Sequence, residues 1–251
     1  MSNHFTKALI FELDGTAVSQ KPKTKPSKVV VDSIMQAHEK VAVVFATTRN
    51  WKSAKDLAKL LNISAPCVTL GGAQVVDSAT GKVIWEQDLD PGVPAKILDI
   101  AKEFDAKVFN YDTGKFISPK SYKIKPVVPV IALQIDDKAS KEMLKQIKKI
   151  PLLNVETFHA LEKGFTQVNV KHIYATKFMA LQTISKILKL NPKECVGVGD
   201  AAADITLLNF CGVKVAMGSS TYRLKELAQH IAPTIEEDGL AWVVQKFILN
   251  T

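Results

Sequence analysis

The stretch that decides the fold is FELDGT, residues 11–16, which follows the apolar run Ala8–Phe11. The apolar run is typical of a buried strand, and Glu12 and Asp14 stand where that strand ends. In doubly wound sheets, ligands bind outside the carboxyl ends of the strands. The pattern therefore predicts that two carboxylates, two residues apart, are aimed into a ligand site.

Three further polar signals stand where apolar strands end or helices begin. The strand 41–47 runs into Thr47-Thr48-Arg49, and the strand 194–199 runs into Gly199-Asp200-Ala201-Ala202-Ala203-Asp204. Lys177 stands at the start of a predicted helix, where a cation adds to the anion affinity of the free backbone N–H groups. Alone, each signal is typical of a turn, a helix cap or a solvated lysine. Their shared placement predicts a single site.

Outward from these signals, short apolar strands alternate with helices at both ends of the chain. This alternation is typical of a parallel sheet covered on both faces. In the middle, the order helix, strands, helix, strands predicts a small open-faced α/β unit. We therefore predict an α/β fold with a doubly wound, mostly parallel, Rossmann-like core at residues 1–86 and 164–251. An α/β cap domain is inserted at residues 87–163.

The composition is that of an ordinary globular protein: 47% of the 251 residues are hydrophobic and 23% are charged. Its three cysteines, Cys67, Cys195 and Cys211, lack metal-ligand spacing, so we expect reduced thiols in a cytoplasmic protein. No apolar run approaches the length of about 20 residues that spans a bilayer, and no signal segment is recognisable. We expect no membrane association.

The formal net charge is +8, which indicates either ordinary solubility or an anionic partner. The densest cluster of positive charge comprises Lys21, Lys23, Lys25 and Lys28. Prolines lie between these lysines but aromatic residues do not, which argues against nucleic acid as a partner because bases stack on aromatic rings. A small anionic molecule, or a solvated loop, fits the cluster better.

Taken together, the polar signals suit phosphoryl transfer. Carboxylates are the hard oxygen ligands that Mg²⁺ prefers, and a lysine with a hydroxyl can hold phosphate oxygens. A carboxylate can attack phosphorus to form an acyl phosphate, while a second carboxylate two residues on handles the proton.

With these motifs in order, the sequence resembles the haloacid dehalogenase-like hydrolase superfamily, in particular its Cof-like, class IIB phosphatases. That family has D-x-D-G-T after an apolar strand, T-G-R after a second strand, a lysine opening a helix behind the cap, and G-D-x-x-N-D. The corresponding residues here are Glu12–Thr16, Thr47–Arg49, Lys177 and Gly199–Asp204, and Val215–Gly218 also matches the family.

The resemblance implies a role for each matching residue. Glu12 takes the position of the nucleophile, and Asp14 that of the general acid and base. Thr47, Thr48 and Lys177 would hold the transferring phosphoryl group. Mg²⁺ would be bound by Glu12, Asp14, Asp200 and Asp204, in the case of Asp14 through its backbone carbonyl. The cap domain would exclude water and select a small phosphorylated metabolite as substrate.

The sequence departs from the family at four places. Glu12 replaces the nucleophilic aspartate, Thr48 the glycine of T-G-R, and Ala203 the asparagine of the last motif, while Gly71-Gly72-Ala73 lacks the asparagine of N-G-A. The additional methylene of Glu12 moves the carboxylate by up to about 1.5 Å. A misplacement of about 1 Å can lower a rate on the order of 100-fold.

Three hypotheses follow. The first is a Mg²⁺-dependent phosphatase, slow or adapted to Glu12. The second is a catalytically impaired relative that binds a phosphorylated ligand or a protein partner without turnover. The third is an α/β protein whose basic surface binds a polyanion.

Overall fold

The computed structural model describes residues 6–20, 24–160 and 162–250. These described residues form two compact units: those up to residue 85 together with those from 176 onward, and those between 86 and 175. Within the described part of the chain, none of the helices combines the length and the apolar character needed to cross a membrane. Cys67, Cys195 and Cys211 are buried free thiols.

The first unit begins with a parallel α/β arrangement. Its elements before the insertion are β1 (Ala8–Phe11), α1 (Lys28–His38), β2 (Ala42–Phe45), α2 (Trp51–Leu60), β3 (Cys67–Thr69), β4 (Gln74–Val76) and β5 (Val83–Glu86). A short 3₁₀ helix, Leu70–Gly72, joins β3 to β4, and β3, β4 and β5 form a small sheet of their own.

The second unit is an open-faced sheet with two helices. Its elements are α3 (Val93–Glu103), β6 (Lys107–Asn110), β7 (Lys115–Ile117), β8 (Val130–Asp136), α4 (Asp137–Ile147), β9 (Leu153–His159) and β10 (Phe165–His172). The strand order is β7-β6-β8-β10-β9, and the paired strands are antiparallel.

The chain then completes the first unit. The remaining elements are α5 (Lys177–Leu188), β11 (Cys195–Gly199), α6 (Ile205–Phe210), β12 (Val213–Ala216), α7 (Tyr222–Leu227), β13 (His230–Ile231) and α8 (Gly239–Val244). Further short helical turns lie at Pro119–Ser121, Pro192–Glu194, Ala202–Asp204, Ile235–Glu237 and Gln245–Leu249.

The central sheet of the first unit has the order β13-β12-β11-β1-β2, and all its pairs are parallel. Both faces are covered: Leu9 and Phe11 pack into one buried cluster, and Ala8 and Ile10 pack into another. Because both faces are buried, β1 reads as a continuous apolar run. The predicted α/β class with a doubly wound, mainly parallel core is therefore confirmed.

One domain boundary lies elsewhere than the sequence indicated. We predicted that residues 164–251 return to the core, yet the inserted unit extends to residue 175. The physical reason is β10, which pairs with β8 on one side and β9 on the other. Its residues Val168 and Val170 are buried in the hydrophobic core of the inserted unit.

Candidate active site

The first two carboxylates leave the sheet at the end of β1. The Glu12 N–H donates to the Val198 carbonyl at 3.1 Å, so the ladder between β1 and β11 continues one residue beyond the strand. The chain then turns at Gly15, whose φ is +79° and whose N–H donates to the Val18 carbonyl at 2.7 Å. Glu12 and Asp14 therefore lie at the carboxyl edge of the parallel sheet.

Gly15 is required by both its conformation and its neighbour. A Cβ at this position would lie 2.1 Å from Oδ2 of Asp200. The Asp200 carboxylate accepts hydrogen bonds from the Thr16 hydroxyl and the Gln20 side-chain amide, each at 3.2 Å. The turn after β1 and the acid after β11 thus fit closely together. Gln20 was not predicted, because it belongs to none of the sequence motifs.

Lys177 is the first residue of α5. Thr176 caps this helix, since its hydroxyl accepts from the Met179 N–H at 3.2 Å. Gly72, with φ +103°, lies directly against the N-cap residue Thr176. A Cβ at Gly72 would be 2.1 Å from the carbonyl carbon of Thr176. This close approach holds the start of α5 beside the turn Leu70–Gly72, and the Lys177 side chain is 1% exposed.

Lys177 connects the ends of two strands. Its Nζ donates to Oε2 of Glu12 and to Oδ1 of Asp204, the latter at 2.5 Å. The other Asp204 oxygen accepts from the N–H groups of Asp200 and Ala201, each at 3.0 Å. Asp204 is therefore held on both oxygens.

The Glu12 carboxylate is turned back onto its own loop. Oε1 accepts from the Leu13 N–H at 2.7 Å and lies 3.4 Å from the Asp14 nitrogen. The Thr47 hydroxyl lies near enough to the carboxylate to lower its pKa. Glu12 is only 4% exposed, so two backbone amides, a hydroxyl and an ammonium group surround this carboxylate almost without solvent.

Negative charge exceeds positive charge in this cluster. Burial opposes the charge of Lys177, but Asp204 and Glu12 outweigh it and raise the lysine pKa above its usual value. Burial raises the pKa of Glu12, with Lys177 opposing and Asp204 adding to the shift. Burial, Asp204 and Glu12 together raise the pKa of Asp200 to about 7. The cluster thus holds three carboxylates and one ammonium group, and two of the carboxylates, Glu12 and Asp204, contact that ammonium group.

Asp14 has a partner of its own. Nε of Arg49 donates to Oδ2 at 2.8 Å, and Nη2 donates to Oδ1 at 2.6 Å, so the pair is bidentate. The Arg49 N–H donates to the Thr47 hydroxyl oxygen at 3.2 Å, which ties the residues after β2 to one another. Arg49 lay within a predicted motif, but the sequence assigned it no role.

Six of the seven predicted site residues thus lie in one connected set of contacts at this edge of the sheet. They are Glu12, Asp14, Thr47, Lys177, Asp200 and Asp204. Thr48 follows Thr47 and is partly buried. The chemical role of each residue stays a prediction.

The residues suit a hard cation in chemistry and in charge, but their carboxylates are grouped around Lys177 and Arg49 and not around a metal position. Carboxylate oxygens are the ligands that Mg²⁺ prefers, and Glu12, Asp200 and Asp204 outnumber Lys177. Among the residues that the structure describes, no three Asp, Glu, His or Cys side chains form a group that could hold a metal ion. As placed, Glu12 and Asp204 face Lys177, and Asp14 faces Arg49.

Half of the basic cluster lies outside the described residues, namely Lys21 and Lys23. Lys28 forms an exposed ion pair with Asp32 at 2.6 Å, one helical turn along α1. Such an exposed pair is typical of a solvated helix surface.

Comparison with known proteins gives one consistent result. The model of the haloacid dehalogenase-like hydrolase family matches residues 9–148 and 118–244. The chain is 23% identical to the 5-amino-6-(5-phospho-D-ribitylamino)uracil phosphatase YcsE of Bacillus subtilis (strain 168), over 97% of this chain and 96% of that protein. It is 21% identical to the HMP-PP phosphatase of Enterobacter sp. (strain 638), over 88% and 87% of the two chains.

A solved structure shares the fold over nearly the whole length. It is BT1666 from Bacteroides thetaiotaomicron, a phosphatase of the haloalkanoate (HAD) superfamily. The TM-score is 0.80 at 21% identity, with 98% of this chain and 96% of that chain covered.

Proposed function

Because the chain belongs to the haloacid dehalogenase-like hydrolase family, we propose that it is a Mg²⁺-dependent phosphatase that hydrolyses a small phosphorylated metabolite through an acyl phosphate. Membership of the family confirms the resemblance and the class of enzyme, a hydrolase of the phosphatase type, that the motifs predicted. The observation that carries the proposal is the position of Lys177, whose ammonium group contacts the carboxylates of Glu12 and Asp204.

In the proposed reaction, the phosphoryl oxygens are held by Lys177, Thr47 and Thr48. A Glu12 carboxylate oxygen forms a bond to phosphorus while the bond from phosphorus to the leaving oxygen breaks. Asp14 gives its proton to that leaving oxygen and then takes a proton from the water that attacks the acyl phosphate. This second step returns Glu12 as a free carboxylate and releases phosphate.

Asp200, Asp204, Glu12 and the backbone carbonyl of Asp14 would hold the Mg²⁺ ion. When bound, the ion supplies positive charge that offsets the charge of the phosphoryl group. The residues themselves orient the phosphate and keep water out, because Glu12, Thr47 and Lys177 are buried.

The names of two relatives support a small phosphorylated metabolite as the substrate. One is a phosphatase of a phospho-ribitylamino uracil and another is an HMP-PP phosphatase. We extend this to a small phosphorylated metabolite, a sugar phosphate or a similar molecule. A cytoplasmic location and the absence of a nucleic-acid partner stay predictions.

A second candidate function is favoured by one observation. The Glu12 carboxylate accepts a hydrogen bond from the Leu13 N–H of its own loop, instead of facing outward as a free nucleophile. This placement supports a catalytically impaired relative that binds a phosphorylated ligand or a protein partner without turnover.

The test compares native protein with Glu12→Asp. Phosphate release is measured from a panel of sugar phosphates and other phosphorylated metabolites, with Mg²⁺ and with EDTA. We expect Mg²⁺-dependent release by the native protein. Glu12→Asp separates the two candidates because it keeps the charge and moves the carboxylate by up to about 1.5 Å.

Three outcomes decide the matter. Turnover by native protein that slows in Glu12→Asp indicates a site built around glutamate. An inert native protein with an active Glu12→Asp variant supports the second candidate. If neither protein responds to Mg²⁺ on any substrate, the proposed function is wrong.

A further inference from the structure

The donors around Glu12 are those that bind phosphate oxygens elsewhere in proteins. Backbone N–H groups beyond a strand end, a hydroxyl and a lysine together make a site for an oxyanion. Here the N–H groups of Leu13 and Asp14, the Thr47 hydroxyl and the Lys177 ammonium all point at one carboxylate. We refer to these four donors as the oxyanion cradle.

The group that lies in the cradle is a side chain of the protein itself, the carboxylate of Glu12. Glu12 reaches the cradle because its carboxylate stands one methylene further from the backbone than that of an aspartate. An aspartate carboxylate would lie up to about 1.5 Å nearer its own Cα, so we expect it to contact the Leu13 N–H and the Lys177 ammonium less closely than Glu12 does. Glu12 is buried, and its carboxylate already accepts hydrogen bonds from the Leu13 N–H and the Lys177 ammonium, which a phosphate oxygen would need.

We propose that the Glu12 carboxylate occupies the phosphate site of the resting protein, so that a phosphate group binds the cradle only by displacing it. This inference rests on the proposed function and adds to it a residue that sets the affinity of the site. The displaced carboxylate is then free to stand in line with the phosphorus atom.

An internal competitor weakens binding in a predictable way. The apparent Kd equals the intrinsic Kd divided by the fraction of molecules whose site is open. The carboxylate is attached beside the cradle, so its effective concentration there is far above that of a free ligand. If the cradle is open in a tenth of the molecules, the native protein would bind phosphate about 10-fold more weakly than a variant whose side chain at position 12 cannot reach the cradle.

The test is the binding of inorganic phosphate measured by isothermal titration calorimetry, without any substrate. Glu12→Asp is the decisive variant, because it keeps the negative charge and shortens the side chain by one methylene, which withdraws the carboxylate from the cradle. We expect its phosphate Kd to be lower than that of native protein by about 10-fold or more. Glu12→Gln, which keeps the reach and loses the charge, should fall in between, since a neutral amide competes less well for Lys177.

Two controls separate occlusion from general effects. Glu194→Asp shortens another ion-paired glutamate of the same unit, whose Oε2 lies 3.2 Å from Nζ of Lys7, and should leave phosphate binding unchanged. Asp204→Asn removes a charge from Lys177 without emptying the cradle. If lost repulsion alone governs binding, Asp204→Asn will strengthen it while Glu12→Asp will not, and the inference is then wrong.

The result is independent of turnover. Tight phosphate binding by Glu12→Asp beside weak binding by an inert native protein supports the inference although the proposed function fails. Equal phosphate binding by native protein and Glu12→Asp overturns the inference even if the native protein is an active phosphatase. Absence of binding in every variant also overturns it, since the cradle would not be an oxyanion site.

Discussion

At the scale of single residues, one methylene decides where the carboxylate of residue 12 lies. The sequence predicted a displacement of the acid relative to an aspartate, and the side chain reaches the N–H of the next residue. The nearby Asp14 is held differently, by two hydrogen bonds from Arg49. The two acids of the motif are therefore positioned by different partners, which allows each to be tested alone.

Arg49→Lys is expected to lower phosphatase activity while changing stability little. A lysine presents a point charge and cannot form the fork that orients both oxygens of Asp14. The pair is partly exposed, so its contribution to stability is about 0.2–1 kcal/mol. A shift of the acid by about 1 Å can cost on the order of 100-fold in rate. Steady-state kinetics and thermal unfolding of the same preparation measure both effects.

Arg223→Lys is the matched control, because Arg223 lies exposed on α7. It should leave both activity and stability as they are. If Arg49→Lys retains the native rate, Asp14 does not depend on Arg49 for its orientation.

At the scale of elements, the start of α5 depends on a glycine that is distant in sequence. Gly72 lies in the turn after β3, and its missing side chain lets the backbone of Thr176 approach. Lys177 follows immediately and enters the site from there. The position of the lysine is therefore set by backbone packing between the turn and the helix as much as by the lysine itself.

Gly72→Ala is expected to destabilise the protein and to remove activity, because the new Cβ would lie 2.1 Å from the Thr176 carbonyl carbon and displace Lys177. The matched control is Gly114→Ala in the turn between β6 and β7, where φ is +70° and nothing lies within 4 Å of the added carbon. That control should cost about 1–2 kcal/mol from backbone strain alone.

Denaturant unfolding and phosphatase assays of both variants measure these effects. Gly72→Ala should lose clearly more stability than Gly114→Ala, and only Gly72→Ala should lose activity. Equal losses in the two variants would mean that the contact between the turn and α5 has no effect beyond the strained φ.

At the scale of the whole molecule, the sequence predicted what depends on local pattern. The run Ala8–Phe11 reads as a buried strand because its side chains enter cores on both faces of the sheet. The acids after β1 and β11 were predicted to meet because parallel strands present their carboxyl ends at one edge. These inferences need only burial and topology.

The sequence does not show which residues far apart along the chain contact one another. The bidentate pair of Arg49 and Asp14 spans 35 residues, and the contact of Gly72 with Thr176 depends on how a turn meets a helix. The cap domain was predicted to end at residue 163, before the strand Phe165–His172, because the sheet neighbours of that strand cannot be read from the sequence. A strand's own pattern shows that it is buried and does not show which sheet it joins.

The boundary can be tested with two fragments of the inserted unit. In the order β7-β6-β8-β10-β9, β10 is the link between β8 and β9. A fragment of residues 87–163 lacks it, so β9 loses its pairing and the core loses Val168 and Val170. A fragment of residues 86–175 keeps the complete sheet and both helices, and a sheet of several strands packed on helices is enough for independent stability.

We therefore expect cooperative thermal unfolding and dispersed amide NMR signals from fragment 86–175, and neither from fragment 87–163. Val168→Asp in the longer fragment serves as a control, since it keeps the length and places a charge in the buried core. It should unfold the fragment, whereas Lys163→Asp on the exposed surface should not. Cooperative folding of fragment 87–163 would contradict the structural boundary, because it would mean that β10 is dispensable to the sheet in which it is an inner strand.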